Sequence, residues 1–146
     1  CHIHSLAREG GAKLLNHYAY LTYLFISFII QVVEDEESIQ SNIKEFLEED
    51  FQILLAESNQ QRKLLFLENK DSIGAILMDG NLSDGDSLSL VSEIINEYDF
   101  PPEKIISISG NDSIQREMRY IGCGVCPKPF SLYDILKAIQ KAATES

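Results

Sequence analysis

Apolar and polar positions come in blocks along this chain. Near-continuous apolar runs lie at 28–33, 51–56, 73–78, 104–108 and 125–127. Runs this short, rich in Ile, Val and Leu and broken only by an occasional polar residue such as Gln31, predict strands buried on both faces. Between them the spacing becomes helical. Ile39, Ile43, Phe46 and Leu47 share one stripe of 38–49, and Leu64, Leu65 and Leu67 lie within 59–69. Leu88, Val91, Ile94 and Ile95 do the same for 87–98, which Pro101-Pro102 brings to a stop. A short helix over 113–121 and a last one over 132–143, with Ser131 as its N-cap, complete the series. Strands alternating with helices predict an α/β fold, a doubly wound five-stranded parallel sheet.

Residues 1–25 stand outside this repeat and read as a helical extension to a domain spanning 26–146. The predicted additional N-terminal helix covers 5–24, weakened by Gly10-Gly11, with Leu6, Leu14, Leu15, Tyr18 and Leu21 available for an apolar face. That face needs a cover: the domain itself, a second copy in a homodimer, or a partner domain. Residues 14–33 carry no formal charge, but Asn16, His17, Thr22, Ser27, Gln31 and three tyrosines dilute their hydropathy. With 29–33 assigned to the first strand, too few residues are left to span a bilayer, so no membrane segment and no signal peptide are expected.

Composition narrows the partners. A chain of 146 residues with 45% hydrophobic residues can build one ordinary core. Its formal charge of −11 speaks against direct nucleic-acid contact and against adhesion to anionic lipid. Three cysteines make no disulfide framework, which suggests a reducing, cytoplasmic setting. Cys123 and Cys126 form a C-x2-C, yet zinc would need further ligands, and only Cys1, His2 and His4 at the far end offer them. They read as loop or core thiols.

Chemistry gathers where the predicted strands end. Glu34-Asp35-Glu36-Glu37 follows the first, Asp79 and then Asn81 the third, Ser109-Gly110 the fourth, and Lys128-Pro129-Phe130 the fifth. The crevice beyond the carboxyl ends of parallel strands is where an open α/β sheet places its ligands. Together these five pieces, in this order and spacing, resemble the receiver domain of two-component response regulators over roughly residues 28–143.

That resemblance implies the flavodoxin-like strand order 2-1-3-4-5 and a phosphoryl group accepted on Asp79 from a sensor histidine kinase or phosphotransfer protein. It implies Mg2+ as cofactor, with Asp35 and Asp79 as direct ligands, Glu34 acting mainly through water, and the Asn81 carbonyl completing the set. Such a cation offsets the repulsion between a carboxylate and an incoming phosphoryl group. Lys128 would meet a phosphoryl oxygen, and the family holds the bond to Pro129 cis. Ser109 would hydrogen-bond the phosphoryl group, with Gly110 leaving it room. The implied activity is that of a switch that catalyses its own phosphorylation and dephosphorylation, rather than of a turnover enzyme. Glu36 and Glu37 read as a solvated first helical turn.

The match has departures. Ser83 stands where the family usually has Pro, Ser87 where it usually has Gly, and Val125 where a switch aromatic is normal. Intact chemistry with altered signal transmission is the expectation. These departures favour an alternative, a phosphorylation-independent receiver-like binding and dimerisation module. A haloacid-dehalogenase-like phosphatase would want a second acid where Asn81 stands, and His4 or His17 as a phosphotransfer site would want a four-helix bundle. The chain is expected to be either a stand-alone regulator or part of a longer one.

Overall fold

A computed structural model describes residues 29–56, 59–80, 82 and 87–145. The predicted N-terminal helix, Asn81 and residues 83–86 lie outside the described residues. In chain order the elements are β1 (Ile29–Val33), α1 (Glu37–Leu47), β2 (Gln52–Leu55), α2 (Asn59–Asn69), β3 (Ile73–Asp79) and α3 (Ser87–Tyr98). A short 3-10 turn (Pro102–Lys104) leads to β4 (Ile105–Ser109), α4 (Asp112–Ile121), β5 (Gly124–Pro127) and α5 (Leu132–Glu145). All five strands pair in parallel in the order β2-β1-β3-β4-β5. Among the described residues each of the five predicted strands and the five helices that follow them is present, with ends displaced by at most two residues.

The sheet is covered on both faces, and β3 shows why its run is continuously apolar. Ala75 and Leu77 point into one core with Ile30, Val32 and Ile106, against Ile43 and Leu47 of α1 and Ile135, Leu136 and Ile139 of α5. Ile76 and Met78 point into the other, with Phe66 of α2, Val91 and Ile94 of α3 and Met118 of α4. Phe66 is the aromatic hub of this second core, edge-on to both Tyr98 and Phe100 at 5.6 Å.

Local signals set the helix ends. Asn111 caps α4 by accepting from the N–H groups of Ser113 and Ile114. Gly122 ends α4 at φ 107°, a left-handed conformation that favours glycine. Ser131 does cap α5: its Oγ accepts from the Asp134 N–H at 3.1 Å while Asp134 Oδ2 accepts from the Ser131 N–H at 2.9 Å. Cys123 and Cys126 are free and buried. Among the described residues no helix is long and apolar enough to cross a membrane, and Ile29–Val33, the end of the uncharged stretch, is strand.

Candidate functional site

Parallel register carries the acidic residues to one end of the sheet. Val33 pairs with Met78, so Glu34 and Asp79 emerge side by side one step further on. Both are buried, at 5% and 6% exposure, which is unusual for carboxylates and demands compensation. Glu34 Oε1 accepts from the Glu36 N–H at 3.1 Å, and the Gln40 amide donates to the Glu34 carbonyl. Asp79 Oδ1 lies 3.6 Å from Lys128 Nζ, which reaches in from the segment after β5. Burial foremost, then the charge of Asp79 and a hydrogen bond between the two carboxyl groups, raise the Glu34 pKa above its ordinary value. The Glu36 N–H and Lys128 oppose that rise.

Neighbouring backbone holds the rest of the crevice. Ser109, 1% exposed, ends β4, and its Oγ accepts from the Asn111 N–H at 3.0 Å. The Lys128 N–H donates to the Ser109 carbonyl at 3.1 Å, so lysine and serine are tied directly together. The Lys128–Pro129 peptide is cis, as the resemblance implied. Gly80, directly after Asp79, donates to the Ile108 carbonyl at 2.9 Å and passes so close to Ser109 that a Cβ would sit 2.5 Å from the serine Cβ. Gly110 is less constrained: its nearest neighbour, Lys128 Cβ, would be in ordinary contact at 3.6 Å.

Asp35 is placed differently from Glu34 and Asp79. Its carboxylate is ion-paired with the guanidinium of Arg62, a buried residue in the first turn of α2. Among the described residues no three His, Cys, Asp or Glu side chains cluster as a metal cage. The adjacent carboxylates of Glu34 and Asp79 nevertheless suit a hard divalent cation, which prefers oxygen donors and relieves their mutual repulsion. The Asp35 oxygen that meets Arg62 is Oδ1.

Arg62, Gln115 and Gly80 escaped the sequence reading, and Ser87 entered it only as a departure from the family pattern. Arg62 sits in a helix otherwise marked by its leucines, with nothing local to pair it with Asp35. Gln115, 4% exposed in α4, directs its amide at the carbonyls of Ser107, Ser109 and Cys126 at 3.2, 3.3 and 3.3 Å, bridging the ends of β4 and β5. Ser87, a departure from the family pattern, is buried and donates from Oγ to the Gly80 carbonyl at 2.9 Å, tying α3 to the strand that carries Asp79.

A family model described as the response regulator receiver domain matches residues 30–140. The chain belongs to that family. This receiver is 24% identical over 115 residues to the transcriptional regulatory protein PdtaR of Mycobacterium tuberculosis, covering 79% of this chain and 56% of PdtaR. It therefore spans just over half the length of that curated relative. Among solved structures it is similar to a response regulator receiver domain protein from Clostridium thermocellum. There the identity is 26% and the TM-score 0.70, over 81% of this chain and 95% of the other. The non-phosphorylated HemR receiver domain from Leptospira biflexa shares the fold at a TM-score of 0.67 and 24% identity, over 80% of this chain and 94% of that one.

Proposed function

We propose that this receiver accepts a phosphoryl group on Asp79 from a sensor histidine kinase or phosphotransfer protein and thereby switches a protein-interaction surface. The observation that carries the reading is the buried Asp79 carboxylate at the end of the central strand, with Lys128 Nζ 3.6 Å away. A nucleophilic carboxylate must be both rigid and reachable, and β3 supplies the rigidity by pairing on both sides. In the transfer an Asp79 oxygen attacks phosphorus. The new P–O bond forms as the P–N bond of a phosphohistidine breaks, and the electron pair leaves to the imidazole nitrogen, which takes up a proton. Lys128, released from Asp79, neutralises a phosphoryl oxygen, and the Ser109 hydroxyl donates to another. Glu34 and Asp79, with Asp35 and the Asn81 carbonyl, would hold Mg2+, which supplies positive charge for the anionic transition state.

Intact mass after incubation with acetyl phosphate and MgCl2 tests this. One phosphoryl group is gained by the wild type and none by Asp79→Asn; equal gain by both refutes Asp79 as acceptor.

A second reading, a phosphorylation-independent binding and dimerisation module, draws on Val125, which stands in place of a switch aromatic and lies half-buried against the second core. It expects no phosphoryl gain and a homodimer held by the N-terminal segment. Deleting residues 1–24 should then halve the mass in solution, and an unchanged mass counts against it.

A further inference from the structure

Arg62 is at odds with its local surroundings. It lies in the first turn of α2, where the positive end of the helix dipole disfavours a cation. It is also buried, at 7% exposure, and a buried guanidinium is costly unless paired. Asp35 resolves both conflicts. The topology makes the pairing possible: β2 lies beside β1, so the helix that follows β2 begins at the carboxyl end of β1, where Asp35 leaves the sheet. Gln31, inside β1, fixes that start by donating from Nε2 to the Arg62 carbonyl at 3.1 Å. The arginine is thus anchored through both its backbone and its side chain, and it brings a permanent positive charge to the edge of the acidic crevice.

We propose that Arg62 is a built-in competitor for the divalent cation of this receiver. In the resting domain its guanidinium occupies Asp35. A cation held by Glu34, Asp35 and Asp79 must either draw Asp35 off Arg62 or share it against charge repulsion. The inference rests on the reading of the crevice as a cation-dependent phosphoryl acceptor, and it adds that Arg62 sets the cation concentration at which the site becomes competent. Arg62 positions Asp35 and takes no part in the transfer itself.

The test uses the full chain and isothermal titration with MgCl2. Arg62→Met replaces the guanidinium with an unbranched apolar side chain, and Arg62→Gln serves if the methionine variant fails to fold. Lys63→Met is the charge control, since Lys63 is exposed on the same helix and paired with Glu93 at 3.4 Å. The neutral residue at 62 should tighten the Mg2+ Kd by about tenfold or more, the change that ~1.4 kcal/mol produces, while Lys63→Met changes it less than about twofold.

An independent readout is a thermal-denaturation cycle of Arg62→Met, Asp35→Asn and the double variant. The coupling between the two positions should be present in EDTA and shrink in saturating MgCl2. A Kd at position 62 within about twofold of wild type, with Mg2+-dependent phosphorylation of Asp79 intact, overturns the competitor and leaves the acceptor reading standing. Absence of both Mg2+ binding and Mg2+-dependent phosphorylation in every variant overturns the two together.

Discussion

Gly80→Ala is a demanding test of the crevice geometry, because the obstacle to a side chain there is fixed to a neighbouring strand. A Cβ at position 80 would lie 2.5 Å from Ser109 Cβ and 2.7 Å from Ser109 Oγ, with Ile114 Cγ2 at 3.4 Å. The hydroxyl can rotate aside, but Ser109 Cβ moves only with its backbone. Comfortable carbon contacts need roughly 3.5–4.0 Å, so the ends of β3 and β4 must part by roughly 1 Å. The Gly80 N–H to Ile108 carbonyl bond, 2.9 Å long, spans that gap and would stretch with it. Overpacking of this kind costs about 1–3 kcal/mol. For a domain of this size that corresponds to a fall in Tm of roughly 4–12 °C.

Differential scanning calorimetry of Gly80→Ala, Ser109→Gly and the double variant separates the clash from general damage. Ser109→Gly removes both offending atoms, so the double variant should be more stable than the sum of the single changes by about 1 kcal/mol or more. Effects that add within about 0.5 kcal/mol would show that the two residues do not meet, and would refute the reasoning.

Other expectations follow from single contacts. Gln115→Leu keeps volume but removes the amide aimed at three buried carbonyls, and should cost about 1–3 kcal/mol in urea unfolding. Ser131→Ala should cost about 1 kcal/mol by removing the α5 cap. The partner of that cap gives a pH signature. Hydrogen bonds from the Ser131 N–H and hydroxyl lower the Asp134 pKa, so its contribution is present above the ordinary carboxylate value of 3.8 and is lost as pH falls through the lower folded value. Asp134→Asn should flatten the acid limb of Tm against pH.

Burial pushes the Cys123 thiol up from 9.0 to about 11, so the unfolded chain loses that proton first and stability from this group declines as pH rises above about 9. At pH 8 the native protein should leave Cys123 unalkylated by iodoacetamide, with labelling appearing in denaturant; rapid native labelling would contradict its burial.

What was legible in the sequence is what repeats or lies adjacent in the chain. Apolar runs of 28–33 and 73–78 identified strands because burial on both faces leaves no polar positions to alternate. Residues delivered to strand ends, Glu34, Asp79, Ser109 and Lys128, could be named because a parallel sheet sends every strand end to the same crevice. Ser131 was likewise readable as the α5 cap, because a capping side chain bonds within its own turn, while the return bond from Asp134 came only with the structure.

Arg62, Gln115 and Gly80 belong to another class. Their partners lie 27, 6 to 11, and 29 residues away, respectively. No periodicity links such positions, and an arginine or glutamine on a helix is locally indistinguishable from a solvated one. Only the strand order, which sets the start of α2 against the end of β1 and lays Gly80 against Ser109, brought them into contact. The sequence by itself therefore determined the alternation of elements and which residues reach the crevice. The tertiary structure decided how their charges are shared, because a buried charge takes whatever partner the packing of distant elements puts beside it.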